Sequence, residues 1–324
     1  MEFGVLSTAG IARKAFLPAV EASDHAVGAI ASRDGERARS VAEEYAIPRH
    51  YGSYEALLED EGIDAVYVPL PNGLHAEWTR AAADAGLDVL CEKPLAADAA
   101  EARAVVEHCR DRDVTLMEGF MYRYHPRTER AVELAREELE GVHSMSATFK
   151  FPLDDPGDVR LSPELAGGSL MDVGCYPVSV ARLFLGEPER AFASAHDSRN
   201  AGVDTDLAGV LEFGDGASAR IASGFDSQLV QRYRVEGENG WIEVEDAFDA
   251  PTEKETKLTY RVDGREGTET FDPVDQFRLE VEQFASAAES GDPPRTGGEE
   301  AVANMEAIDA LAESAERGEV LTLD

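Results

Sequence analysis

Short apolar runs alternate with helix-length polar stretches through the first 120 residues, and that alternation admits few folds. Phe3-Gly4-Val5-Leu6, Ala26–Ala31, residues 63–68, residues 87–90 and Thr115-Leu116-Met117 read as short buried strands. Helical segments lie between them, near 11–22, 35–45, 74–85 and 98–110, with Ser53 capping a further short helix. Strands that alternate with helices of about 10–15 residues predict a doubly wound parallel sheet.

After residue 120 the texture changes. A helix near 127–138 is followed by longer alternating strands at 144–151, 190–197, Asp206–Phe213, 216–225 and 231–238. Gly214-Asp215 and Glu238-Asn239-Gly240 separate pairs that read as hairpins of an antiparallel sheet. Residues 168–184 read as a loop entering a helix, and two helices near 275–290 and Gly298–Arg317 close the chain. The expected class is α/β, with an N-terminal Rossmann domain over 1–120. A C-terminal α+β domain over 121–324 would carry an open, mostly antiparallel sheet, with the last helices able to pack back on the first domain.

Sixty-five acidic residues against 30 basic ones give a formal net charge of −35, and only five of the basic residues are lysine. Acids spread over helices and turns, with arginine in place of lysine, predict a halophilic surface suited to a cytosol at molar salt. There the Debye length is about 3 Å and self-repulsion is largely screened. Such a field excludes nucleic acid and anionic membranes as partners while leaving room for a small anionic cofactor on a local patch. Cys91, Cys109 and Cys175 are too few and too far apart for a disulfide scaffold. No run approaches membrane-spanning length, so a soluble, cytoplasmic protein is expected. The seven histidines include no pair spaced four apart on a helix and none near a Cys-x-x-Cys, so no metal site is expected.

Where a dinucleotide-binding turn carries three small residues in the pattern G-x-G-x-x-G/A, this chain has Ser7, Ala9 and Ala12. The segment Ser7-Thr8-Ala9-Gly10-Ile11 keeps the register, directly after a strand and opening a helix. Small side chains there serve either a phosphate or mere packing. At the end of the second strand an NAD enzyme usually places an acid for the ribose diol. Here Ser32-Arg33 offers a hydroxyl and a guanidinium, with Arg37 a turn later, a set suited to the 2′-phosphate of NADP. Arginine at a helix N-terminus opposes the helix dipole, which argues against simple surface decoration. Lys93, in Cys91-Glu92-Lys93-Pro94, follows a buried strand where α/β folds bind ligands. Leu70, Asn72, Glu92 and Arg123 complete the expected cofactor set. His75 is open between lining that pocket and satisfying nearby backbone.

The first turn, Pro69-Leu70-Pro71-Asn72 with His75, Glu92-Lys93-Pro94 and the segment from Gly167 to Tyr176 together resemble the glucose–fructose oxidoreductase, inositol dehydrogenase and rhizopine-catabolism family. Leu6-Ser7-Thr8-Ala9 and the stretch from Met117 to Pro126 are similar to its branch of NADP-dependent D-xylose 1-dehydrogenases and dihydrodiol dehydrogenases. The resemblance implies a substrate wall and a subunit interface on the second-domain sheet, hence a homodimer or homotetramer. It also implies hydride transfer between NADP and a sugar or polyol, with the family's E-K-P lysine at Lys93 and its aspartate at Asp172. Tyr176 stands where many relatives have histidine, a departure shared with the glucose–fructose and dihydrodiol-type members. Four apart, Asp172 and Tyr176 share a helix face. In this reading Tyr176 takes the hydroxyl proton, Lys93 supplies a positive field, and Asp172 holds a second hydroxyl. Asp172 as a helix cap and Tyr176 as a core tyrosine are the plainer alternatives. An aldose of D-xylose or D-glucose type, oxidised at the anomeric carbon to a lactone, is the first expectation. A keto-sugar reductase, a trans-dihydrodiol dehydrogenase or a non-catalytic dinucleotide-binding regulator are the others.

Overall fold

A computed structural model describes residues 1–323. The chain divides into two compact units: residues 1–121 with 277–302, and residues 122–276 with 303–324.

The first unit is built on strands β1 (Glu2–Leu6), β2 (Ala26–Ala31), β3 (Arg49–Tyr51), β4 (Ala65–Val68), β5 (Asp88–Glu92) and β6 (Leu116–Gly119). Helices α1 (Leu17–Glu21), α2 (Gly35–Glu44), α3 (Tyr54–Leu58), α4 (His75–Asp84) and α5 (Ala99–Arg110) connect them. All pairings are parallel, in the order β3-β2-β1-β4-β5-β6. The order reverses between β1 and β4, and a crevice opens at the carboxyl ends of the strands on either side of such a reversal. Burial on both faces explains the near-continuous apolar runs: all four residues of β4 are buried, as are Val89, Leu90 and Cys91 of β5. Phe16 stacks on Tyr67 (centroids 3.9 Å apart) and meets Phe3 edge-on, so the first helical turn is clamped to β1 and β4. That turn, Ala12–Phe16, is π-helical before it tightens into α1, an irregularity the sequence pattern did not signal.

The second unit carries α6 (Pro126–Glu137), β7 (Ser144–Lys150), α7 (Cys175–Leu185) and the strands β8 (Pro188–His196), β9 (Asp206–Phe213), β10 (Ser218–Gly224) and β11 (Val230–Gly237). Three more strands, β12 (Gly240–Glu245), β13 (Thr256–Val262) and β14 (Arg265–Phe271), extend the sheet. The chain then forms α8 (Gln276–Ser290), α9 (Gly298–Arg317) and a short β15 (Leu321–Thr322). Residues 277–302, most of α8 and the start of α9, cluster with the first unit; Phe284 packs on Phe3. The sheet runs β14-β13-β12-β11-β7-β10-β9-β8-β15 and is antiparallel except for β7 beside β10. Gly214-Asp215 and Glu238-Asn239-Gly240 join hairpins, as their turn chemistry requires. Strands β13 and β14 escaped the sequence reading; β14 is an edge strand, and an edge open to water need not alternate strongly.

Helix α7 covers β7, β10 and β11. On that side Met145, Ala147, Phe149, Tyr233 and Val235 are buried, while Ser144, Ser146, Thr148 and Arg234 on the other side are partly open. Tyr233, Val235 and Phe225 are completely buried within the chain. The open face of the sheet is mostly polar over β7 and β11, with Phe192 and Val210 paired on it across β8 and β9.

Candidate active site

In the first unit the expected cofactor residues gather at the carboxyl ends of β1, β2, β4 and β5. Ser7, Thr8, Ala9, Gly10 and Ile11 follow β1; Ser7 Oγ accepts from Ala9 N at 3.1 Å and Thr8 is buried. A Cβ added at Gly10 would meet nothing within 4 Å, so the turn faces open space. Ser32 directly follows β2, nearly buried, and its Oγ accepts from Asp34 N at 3.2 Å. Asp34 caps α2 through the amides of Glu36 and Arg37. This acid supplies what the helix N-terminus demands, leaving the Arg33 and Arg37 guanidiniums exposed with no hydrogen bond or ion pair among the described residues. By contrast, Arg49 is tied to Asp60 at 2.5 Å, and most arginines of this acidic chain are similarly engaged. Two uncommitted cations at the end of β2 fit a phosphate.

Beyond β4, Leu70 is buried and Asn72 begins a short 3₁₀ turn leading into α4. Beyond β5 come Glu92 and Lys93, both half-buried, and a cis Lys93-Pro94 bond. Glu92 Oε1 accepts from the Tyr67 hydroxyl at 2.5 Å, so the acid of the motif is held by β4. His75 resolves to the second of its two readings. It is completely buried, with Nδ1 2.6 Å from the Pro94 carbonyl and Nε2 2.7 Å from the Leu70 carbonyl. Neither ring nitrogen is left for a cofactor; the ring bridges the loops after β4 and β5. Burial pushes its pKa down to about 4, with the Lys93 charge adding to the effect.

In the second unit Asp172 lies in a π-helical turn, Leu170–Gly174, that runs into α7, with Tyr176 in the first turn of α7. Both are buried, at 6% and 4% exposure. The Asp204 carboxylate secures the start of the turn, accepting from Ser169 Oγ (2.6 Å) and Leu170 N (2.9 Å). Asp172 itself accepts from Arg160 Nε at 2.7 Å rather than capping the helix with its side chain. Tyr176 sits among Tyr122, Phe149 and Phe248, with centroids 5.4–5.9 Å away. The Phe248 loop is pinned in turn. Gln231 Oε1 accepts from Phe248 N and Asp249 N, and Gln276 Nε2 donates to Phe248 O. The fully buried Arg127 donates to the carbonyls of Glu245 and Asp246. Arg123 belongs to this unit, its Nη1 donating to Ser179 Oγ one turn beyond Tyr176.

Arg160 and the aromatic wall were missed in the sequence. A signal existed for Arg160, the lone cation amid Asp154, Asp155 and Asp158. Nothing marked Phe248, which is adjacent to Tyr176 only through the fold. The cysteines are all buried, and burial raises the Cys91 thiol well above its usual range, which removes it as a nucleophile. Among the described residues no cluster of three metal-ligating side chains occurs, and no helix is long and apolar enough to cross a membrane.

Residues 1–120 match the model of an oxidoreductase family with an NAD-binding Rossmann fold, and residues 133–243 match the GFO/IDH/MocA C-terminal domain. The chain belongs to the GFO/IDH/MocA oxidoreductase family. Within it, the chain is 57% identical to a D-xylose 1-dehydrogenase (NADP(+)) of Haloferax volcanii, over the full length of both. It is 33% identical to a trans-1,2-dihydrobenzene-1,2-diol dehydrogenase of Xenopus laevis, over 79% of this chain and 80% of that one. Among solved structures it is similar to a 3-ketoreductase from Actinomadura kijaniata in complex with NADP and TDP-benzene, with TM-score 0.92, 32% identity and 97% of each chain covered. Membership makes the chain an oxidoreductase.

Proposed function

We propose that this oxidoreductase uses NADP to oxidise the anomeric carbon of an aldose, D-xylose or a close analogue, to the lactone. What carries the reading is the 57% identity with the Haloferax D-xylose 1-dehydrogenase along the whole chain. The uncommitted guanidiniums of Arg33 and Arg37 beside Ser32 support NADP over NAD, because a 2′-phosphate needs cations where a ribose diol needs an acid. Ser7, Thr8, Ala9, Gly10 and Ile11 would hold the pyrophosphate through backbone amides, and Leu70, Asn72 and Glu92 the nicotinamide half. When bound, the cofactor supplies the acceptor for the hydride leaving C1.

The remaining chemistry belongs to side chains. Tyr176, as the phenolate that a nearby Lys93 would favour, would take the proton of the anomeric hydroxyl, and Lys93 would donate a hydrogen bond to that oxygen. Asp172 accepts a further ring hydroxyl and fixes the sugar's orientation. Arg123, whose Nη1 donates to Ser179 Oγ on the helix of Tyr176, would complete the cofactor set from that side. A second reading, reduction of a keto-sugar, is favoured by the similarity to the 3-ketoreductase and uses the same groups in reverse. The −35 surface supports a cytoplasmic enzyme of a halophile, and the wide open sheet face supports a homodimer or homotetramer.

The test is NADP reduction, followed in molar KCl, against aldoses, polyols and dihydrodiols, with NAD in parallel. Turnover of pentoses and hexoses with NADP is expected. Turnover of dihydrodiols alone, or NADPH oxidation by keto-sugars alone, would replace the reading. Tight NADPH binding without turnover of any of them would point to a non-catalytic role.

A further inference from the structure

We propose that Arg160 is a specificity-determining residue, reading one ring hydroxyl of the substrate beside the hydroxyl that Asp172 accepts. This rests on the reading of Asp172 as a substrate-binding group. Three observations lead to it. The Asp172 carboxylate is buried, and Arg160 Nε donates to its Oδ2 at 2.7 Å, so the two side chains act as one unit. The Arg160 fork is only partly used: Nη1 makes two long contacts of 3.3 Å with Asp158, and Nη2 makes no hydrogen bond among the described residues. The side chain is still 42% exposed, so the unused edge of the fork is open to a ligand.

The backbone holds this arrangement in place. The Arg160 carbonyl accepts from Gly168 N at 2.8 Å and the Ser162 carbonyl from Gly167 N at 3.0 Å, which stitches the loop to the turn that starts the Asp172 helix. A Cβ at Gly167 would lie 2.4 Å from the Arg160 carbonyl oxygen, and Gly168 has φ +110° with Asp204 against the same position. Only glycine admits so close an approach. Phe151 lies under the guanidinium, 5.9 Å from its carbon to the ring centroid. The group is therefore positioned before any ligand arrives.

The chemistry suits a vicinal diol. Each sugar hydroxyl both donates and accepts, while a carboxylate only accepts and a guanidinium only donates. Paired as they are, Asp172 accepts a hydrogen bond from one hydroxyl, and Arg160 Nη2 donates one to the oxygen of its neighbour. A sugar lacking or inverting that second hydroxyl leaves the cation without its acceptor.

The test compares the wild type with Arg160→Met, Arg160→Lys and Asp172→Asn, using D-xylose and a panel of aldoses each deoxygenated or epimerised at one position. In Arg160→Met, KM for D-xylose is expected to rise about 10- to 100-fold, the effect of one charge-assisted hydrogen bond. NADP KM should be unchanged and kcat within a few-fold. Discrimination at a single ring position should collapse while the others persist. An unchanged KM, or an equal loss across the whole panel, overturns the proposal. Should Arg160→Met fail to fold by thermal unfolding in molar KCl, Arg160→Lys keeps the buried carboxylate paired while removing the planar fork. Loss of the same single-position discrimination there supports the role, and its retention overturns it. Asp172→Asn separates the two readings. If it leaves sugar KM untouched, the substrate role of Asp172 falls and this proposal with it; if it raises KM while both Arg160 variants do not, only the role of Arg160 falls.

Discussion

His75 Nδ1 lies 2.6 Å from the carbonyl oxygen of Pro94, which joins α4 to the cis bond immediately after Lys93. The other ring nitrogen faces the Leu70 carbonyl, so one imidazole spans the two loops that carry Asn72 and Lys93. Two acceptors would suit an imidazolium. Complete burial and the nearby Lys93 ammonium outweigh them and hold the ring neutral, with a pKa of about 4. A neutral ring donates to one carbonyl only.

The sign of the pH dependence follows from that depression. The unfolded ring protonates near pH 6.5 and the folded one near 4, so its contribution is intact above about pH 6.5 and is lost as pH falls toward 4. Across that window wild-type unfolding free energy should decline relative to His75→Gln, with a slope approaching ~1.4 kcal/mol per pH unit. Urea denaturation of both proteins in molar KCl from pH 7.5 to 4.5 measures the difference. Parallel profiles would mean that the ring titrates alike in the folded and unfolded chain, its pKa not depressed by burial.

Replacing Arg33 by aspartate should raise KM for NADP by about 10²-fold or more, through loss of a charge-assisted phosphate contact and addition of a like charge. The reaction with NAD should be spared. Steady-state kinetics with both cofactors decide the matter, and equal loss with each would place Arg33 away from the 2′-phosphate.

Lys93→Ala and Tyr176→Phe should each lower kcat by about 10²-fold or more, the usual effect of removing a positioned proton-transfer or field-supplying group. Binding of NADPH, followed by its fluorescence, should survive both changes. Tyr176→Phe keeps the ring that packs on Phe149 and Phe248, so its fold should hold. Near-normal turnover of both variants in molar salt would remove these residues from the chemistry.

In molar KCl, light scattering should give a dimeric or tetrameric mass at micromolar concentration. Dilution into low salt should dissociate or unfold the protein, because the screening of a −35 surface is withdrawn. A monomer in molar salt would leave the open face of the sheet as ordinary surface.

By itself the sequence determined the parallel sheet, since strands buried on both faces must be apolar throughout and Val66, Tyr67 and Val68 leave no other choice. It determined the hairpins at Gly214-Asp215 and Glu238-Asn239-Gly240, because turn chemistry is local. The motif residues Ser7, Arg33 and Lys93 were legible for the same reason, each being placed by the strand just before it. Tertiary structure alone decided that Tyr233 and Phe225 are covered within the chain, that His75 bridges two carbonyls, and that Arg160 meets Asp172. Those outcomes depend on which distant segment fills the space beside a side chain. The partner of a buried polar group is set by how the chain packs, which the spacing of residues along it does not record.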